Sequence, residues 1–99
     1  MKYSVQFPTE KHLKAFEKTL KKIPQISKRE NIMQAVEKLA SNPRPEGKKY
    51  KALKPPLSLG LLTASHRLRI GDFRVLYDID ENQKNVWIFE LRKRTSKTY

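Results

Sequence analysis

The chain has no cysteine, which removes disulfides, thiolate metal sites and a catalytic thiol together. Long apolar runs are also missing, and none approaches the roughly 20 residues that a membrane-spanning helix needs. Met1-Lys2 is followed by alternating rather than continuous apolar residues, so nothing here has the form of a signal peptide. There is no glycine-rich phosphate loop and there are no internal repeats. These absences lead to the expectation of a cytoplasmic chain with no membrane partner. Its 99 residues fit one domain, residues 1–99.

Acidic side chains are outnumbered, with 10 Asp and Glu against 22 Lys and Arg, for a net charge of +12. A folded domain with this imbalance repels itself, and an anionic partner compensates. Nucleic acid or the ribosome is the first such partner to consider. An acidic protein, a membrane surface or a merely solvated lysine-rich face are the alternatives.

Lys2 to Phe7 alternates, with Tyr3, Val5 and Phe7 on one side, and reads as a half-buried strand ended by Pro8. Thr9 is a good N-cap for the following segment, Thr9 to Ile23. There Leu13, Phe16, Leu20 and Ile23 recur at the 3-and-4 spacing of an amphipathic helix. Pro24 interrupts it. Ser27 and Glu30 have the form of a capping box for a second helix carrying Ile32, Val36, Leu39 and Ala40, closed by Asn42-Pro43. Two short helices joined by a tight turn form a helical hairpin.

Residues 43–65 hold Pro43, Pro45, Gly47, Pro55, Pro56 and Gly60, interleaved with Arg44, Lys48, Lys49, Lys51 and Lys54. This pattern predicts a long surface loop, anchored by Leu57, Leu59, Leu61 and Leu62. The last third predicts three strands: His66 to Ile70, Phe73 to Ile79 and Val86 to Arg92. Gly71-Asp72 is a two-residue connection suited to a type II′ hairpin turn.

A two-residue hairpin fixes register. If Ile70 faces Phe73, then Arg69 faces Arg74 and Arg67 lies opposite Leu76. Leu68, Ile70, Phe73, Val75 and Tyr77 then share the face that packs against the helices, and Arg67, Arg69 and Arg74 share the other. Trp87, Phe89 and Leu91 read as a stripe belonging to the core, which turns Glu90 and Arg92 toward the arginines. Like charges directly opposite in a sheet cost up to about 1 kcal/mol per pair, so an anionic ligand is expected to compensate. Arginine suits phosphate because its planar fork donates two parallel hydrogen bonds. The competing reading is an exposed sheet whose arginines guard against edge-to-edge aggregation. The candidate RNA-binding residues are Lys48, Lys49, Lys51, Lys54 and Arg92.

Other nuclease chemistries fit poorly. His12 on a helix and His66 at a strand start are not expected to converge. Two-metal catalysis needs clustered carboxylates, and Asp72, Asp78, Asp80, Glu81 and Glu90 are scattered. No metal and no cofactor are expected.

The segment His66-Arg-Leu-Arg-Ile-Gly-Asp-Phe-Arg-Val-Leu-Tyr-Asp-Ile79 resembles the central signature of RelE/ParE-type toxins, in which a basic strand and a tight turn precede an aromatic-Arg-hydrophobic-hydrophobic-Tyr strand. The likeness runs over the whole chain and is motif-like at residues 66–79 and 90–99. It implies an α+β fold, β-α-α-β-β-β, with a helical hairpin on one face of a small antiparallel-type sheet. For the RelE-like mRNA interferase branch it implies a toxin of a type II toxin–antitoxin system that cuts mRNA in the ribosomal A site without metal. The RNA's 2′-hydroxyl attacks the adjacent phosphorus. By position, Arg67 and Arg69 match two basic residues on the family's second strand, Arg74 the arginine after the turn, Tyr99 the C-terminal tyrosine, and Lys93 or Arg94 the basic residue shortly before it. The implied partners are a cognate acidic antitoxin, in a hetero-oligomer, together with ribosome and mRNA. The alternatives are a ParE-like inhibitor of DNA gyrase and a non-catalytic basic RNA- or ribosome-binding module.

Overall fold

The computed structural model describes residues 2–93. The chain runs β1 (Ser4–Gln6), α1 (Glu10–Lys21), α2 (Ile26–Lys38), β2 (Tyr50–Leu59), β3 (Leu62–Ile70), β4 (Phe73–Asp80) and β5 (Asn85–Lys93). Thr9 caps α1 as expected, with extended backbone and a side chain that accepts from the His12 amide. The second cap differs from expectation. α2 begins at Ile26 with Gln25 as N-cap and no side-chain capping bond, so Ser27 lies inside the first turn. The tight turn before it is tied instead by the Arg29 guanidinium, which donates to the Ile23 carbonyl.

All strands join one sheet in the order β1-β5-β4-β3-β2. The helices cover one face, where Phe16, Ile23, Ile32, Val36 and Leu39 pack against Leu68, Val75, Tyr77, Val86, Ile88 and Leu91. The expected α+β fold of a helical hairpin on a sheet is therefore present, with two additions. β1 runs parallel to β5, through Ser4–Asn85, Val5–Val86 and Gln6–Trp87, which makes the sheet mixed. There are also four strands after the helices rather than three. Residues 43–65 are not a loop throughout, because β2 and the start of β3 occupy much of that stretch.

β2 is an edge strand, where proline is tolerated because one row of N–H groups has no neighbour. The register shift between Ala52 and Leu57 takes up Pro55 and Pro56. Beyond it, Leu59 and Leu62 pack with Trp87 against Ala64, Leu76 and Phe89, forming a second apolar cluster on the face away from the helices. Of the four expected anchors, Leu57 and Leu61 are instead exposed.

The same cluster corrects the expected Trp87–Phe89–Leu91 stripe. A second register shift between Leu76 and Tyr77 leaves Phe89 as the extra residue of β5, with Glu90 opposite Leu76 and Ile88 opposite Tyr77. Val86, Ile88 and Leu91 therefore face the helices, and Trp87 and Phe89 join the second cluster. Among the described residues no helix is long and apolar enough to cross a membrane.

Candidate functional site

The Gly71-Asp72 turn sets the site. Gly71 has φ of 59°, and Lys84 is the one non-glycine with positive φ among the described residues, as a type II′ turn at 71–72 requires. The register is the expected one: Ile70 opposite Phe73, Arg69 opposite Arg74, Leu68 opposite Val75 and Arg67 opposite Leu76. β5 extends each row. Arg92 lies opposite Arg74, and Glu90 opposite Leu76. On the other side, Lys51 lies opposite Arg67, and the Arg69 amide donates to the Lys49 carbonyl at 2.8 Å.

Two parallel rows result, both on the face away from the helices. One reads Arg69-Arg74-Arg92, flanked by Lys49; the other reads Lys51-Arg67-Leu76-Glu90. Adjacent strands lie about 4.8 Å apart, so the Cα atoms of the arginine row span only about 10 Å. All of its arginines are half-buried, as is Arg67. The Nε atoms of Arg67 and Arg74 are shut off from solvent. The Glu90 carboxylate accepts from Arg92 Nε at 3.0 Å and from Arg92 Nη2 at 3.1 Å. This bidentate pair fixes the orientation of Arg92 without neutralising the row as a whole.

The remaining candidates are placed less uniformly. Lys48 and Lys49 are exposed immediately before β2, and Lys54 is exposed at the irregular part of β2. Lys93 is opposite Phe73, one residue out of phase with the arginine row. It lines a 560 Å³ cavity on the helix side with Lys22, Ile23, Lys28 and Asp72, so the geometry does not bring it to the arginines. Arg94 and Tyr99 lie outside the described residues.

Two further arrangements were not expected from the sequence. Tyr50, His66 and Tyr77 stack across β2, β3 and β4, with ring centroids 5.8 and 5.4 Å apart. Tyr50 Oη and His66 Nδ1 are 2.8 Å apart, and Tyr77 Oη donates to the buried Pro43 carbonyl at 2.7 Å. Burial pushes the His66 pKa down, and Arg44 adds to this, while Asp78 and Glu81 oppose it. Burial pushes the Tyr77 and Tyr50 hydroxyls up, so neither is an available base near neutrality. The signal for this ladder is the hairpin register, which sets His66 opposite Tyr77, but the prolines and lysines of residues 43–65 hide the strand that brings Tyr50 beside them.

The second arrangement centres on Glu81, which accepts from Tyr3 Oη at 2.7 Å and pairs with Arg44 at 2.6 Å and Lys84 at 3.4 Å. Those bonds, Tyr3 first and Arg44 second, hold the Glu81 carboxyl down to about 2. His12 is held by Thr9 at 2.7 Å and does not meet His66. Among the described residues, no three His, Asp or Glu side chains gather as metal ligands would. Chemically, the arginine rows offer several forked donors to one or two adjacent phosphates.

Several known proteins resemble this chain. No curated protein matches the sequence significantly. Among solved structures, RelE from the archaeal RelE–RelB complex of Pyrococcus horikoshii OT3 is 24% identical with a TM-score of 0.70, over 97% of this chain and 99% of that one. The toxin–antitoxin complex RelBE2 of Mycobacterium tuberculosis contains a chain 26% identical with a TM-score of 0.53, over 95% and 100%. A free-state mutant of the Escherichia coli toxin RelE is 17% identical with a TM-score of 0.54, over 99% and 88%. The family model for the ParE toxin of the type II toxin–antitoxin system, parDE, matches residues 10–97. That match runs from the first helix through the last strand, and the chain belongs to the ParE toxin family, within the RelE/ParE superfamily of type II toxins.

Proposed function

We propose that this toxin is a metal-independent endoribonuclease that cleaves mRNA in the ribosomal A site and so stops translation. The observation that carries the reading is the row Arg69-Arg74-Arg92 on a face free of helices. Attack by the RNA's 2′-oxygen forms a bond to the adjacent phosphorus as the bond to the 5′-oxygen breaks. The products are a cyclic phosphate and a 5′-hydroxyl. Negative charge builds on the phosphoryl oxygens during this step, and guanidiniums already fixed in place stabilise it where it develops. Arg74, at the centre of the row, and Arg69 are the groups assigned that role, with Arg67 and Arg92 holding the flanking phosphates. Lys48, Lys49, Lys51 and Lys54 extend the basic surface along β2. Arginine, with a pKa above about 12, is a poor base. Proton transfer is assigned to Tyr99 and the tail's cationic role to Arg94, since Lys93 lines the helix-side cavity away from the arginines.

A toxin of this kind acts in the cytoplasm and is held by an antitoxin. The net charge of +12 fits an acidic, partly disordered partner whose helix or strand covers the arginine face. The RelE–RelB and RelBE2 complexes support such an assembly.

A second reading is favoured by one finding, the match to the ParE family: inhibition of DNA gyrase by binding, with no bond cleaved. Two assays on the same preparation separate them. Discrete cuts in mRNA on programmed ribosomes, mapped by primer extension, with gyrase supercoiling unaffected, support the nuclease. Loss of supercoiling with intact mRNA overturns it.

A further inference from the structure

A 310 Å³ cavity opens between α1 and the end of the β2–β3 hairpin, beside the arginine row. This is near the lower limit of small-molecule pockets, about 300–1,000 Å³. His12, Ala15, Phe16 and Thr19 form its α1 side, with the His12 ring engaged by Thr9 Oγ1 at 2.7 Å, and Leu59, Phe89, Glu90 and Leu91 form the opposite side. The apolar walls are furnished by Phe16, Leu59 and Phe89, and the register shift at Leu76/Tyr77 is what brings Phe89 there. At one edge stands Glu90, which belongs both to this cavity and, through its bidentate pair with Arg92, to the arginine row.

That double membership gives the cavity an occupant. The phosphate site on Arg74 and Arg92 lies two strand residues, roughly 7 Å, from Glu90, a span that the sugar and base of a bound nucleotide can cover. The side chain of Glu90 is 39% exposed. A carboxylate has about four acceptor sites, so the two bonds from Arg92 leave capacity toward the cavity. An acceptor-only group selects a base edge that donates. Cytosine, with its 4-amino group, satisfies this, and uracil, with a carbonyl oxygen there, is repelled. Arg92 lies between Glu90 and the phosphate and screens the two anions from each other.

We propose that the cavity between α1 and the β2–β3 hairpin is a base-selecting subsite for an amino-bearing nucleobase, with Glu90 as its specificity-determining residue. The proposal rests on RNA being the ligand of the arginine face. It deepens that reading by naming which base chemistry is preferred next to the bound phosphate.

The test is titration of the isotope-labelled full chain with cytidine monophosphate, uridine monophosphate and inorganic phosphate, followed by amide NMR. The cytidine nucleotide is expected to shift amides of Arg69, Arg74 and Arg92 together with those of Ala15, Phe16 and Thr19. The uridine nucleotide and phosphate should shift the arginine row alone. Cytidine monophosphate should bind about fivefold or more tightly than uridine monophosphate. Ala15→Phe fills the cavity from the exposed side of α1, and should abolish the α1 shifts and the preference while keeping those of the arginines. Glu90→Gln, which offers both acceptor and donor, should equalise the two nucleotides. Equal binding of both by the wild type, or arginine shifts with a silent cavity, overturns the subsite and leaves the arginine face standing. Silence of the arginine amides with every probe overturns both. Cytidine selectivity in a protein that leaves ribosomal mRNA intact supports the subsite and overturns the nuclease reading.

Discussion

Arg69 and Arg74 are direct cross-strand partners on either side of a two-residue turn, and Arg92 extends the same row from β5. Like charges so placed work against the sheet that holds them, by a few tenths to about 1 kcal/mol per pair. Under the proposed function, an anion bound on this face converts that mutual repulsion into shared attraction.

Arg69→Thr therefore separates stability from function. Threonine suits a strand and removes one charge from the row. The midpoint of urea unfolding should rise, by up to about 1 kcal/mol in stability. RNA affinity should fall, and the slope of its logarithm against log salt should drop by about 1. A loss of stability would show that Arg69 is held in place by more than its ligand.

Tyr77→Phe tests the aromatic ladder. Tyr77 is buried and its hydroxyl donates to the Pro43 carbonyl at 2.7 Å. Removing the donor leaves a buried acceptor unsatisfied, at a cost of about 1–3 kcal/mol. Equilibrium unfolding checks this, and an unchanged midpoint would mean that Pro43 finds another donor without cost.

Much of the arginine face was legible because a two-residue hairpin admits one register, and Gly71-Asp72 announced it. β2 was not legible. Pro55, Pro56 and the interleaved lysines argue against a strand, and only an edge position with a register shift accommodates them. The alternation through Trp87, Phe89 and Leu91 points Trp87 and Phe89 to the helix face, but a single extra residue in β5 reverses it, and nothing in the local sequence marks where that residue falls. Arg92 could be turned toward the arginines, but its position opposite Arg74 could not be read, since the turn at residues 80–85 leaves register open.

His66 makes stability depend on pH in a stated direction. Burial and Arg44 lower its pKa below 6.5, with Asp78 and Glu81 opposing, and Tyr50 and Tyr77 stack on its two faces. The unfolded chain then takes up the proton first, so stability falls as pH drops below 6.5 and levels off once the folded form is also protonated. His66→Gln should flatten this limb. An NMR titration showing His66 protonated above pH 6.5 would contradict the direction.

Glu81 acts lower on the scale. Its bonds from Tyr3 and Arg44 hold it down to about 2 against an ordinary 4.5, so its contribution is present above 4.5 and lost as pH falls toward 2. Glu81→Gln should make the acid limb of the stability curve shallower between these values. An acid limb unchanged from wild type would place the sensitive carboxylate elsewhere.

The central claim is that Arg74 stabilises charge that develops only as RNA is cut. The most direct measurement compares wild type with Arg74→Ala in single-turnover cleavage of ribosome-bound mRNA, with ribosome affinity measured in parallel. The account predicts a rate lower by about 10²–10³-fold, as for loss of one preorganised donor, with affinity changed by far less. A rate that falls only as far as affinity does, or an unchanged rate, would contradict it and leave the arginine row as a binding surface alone.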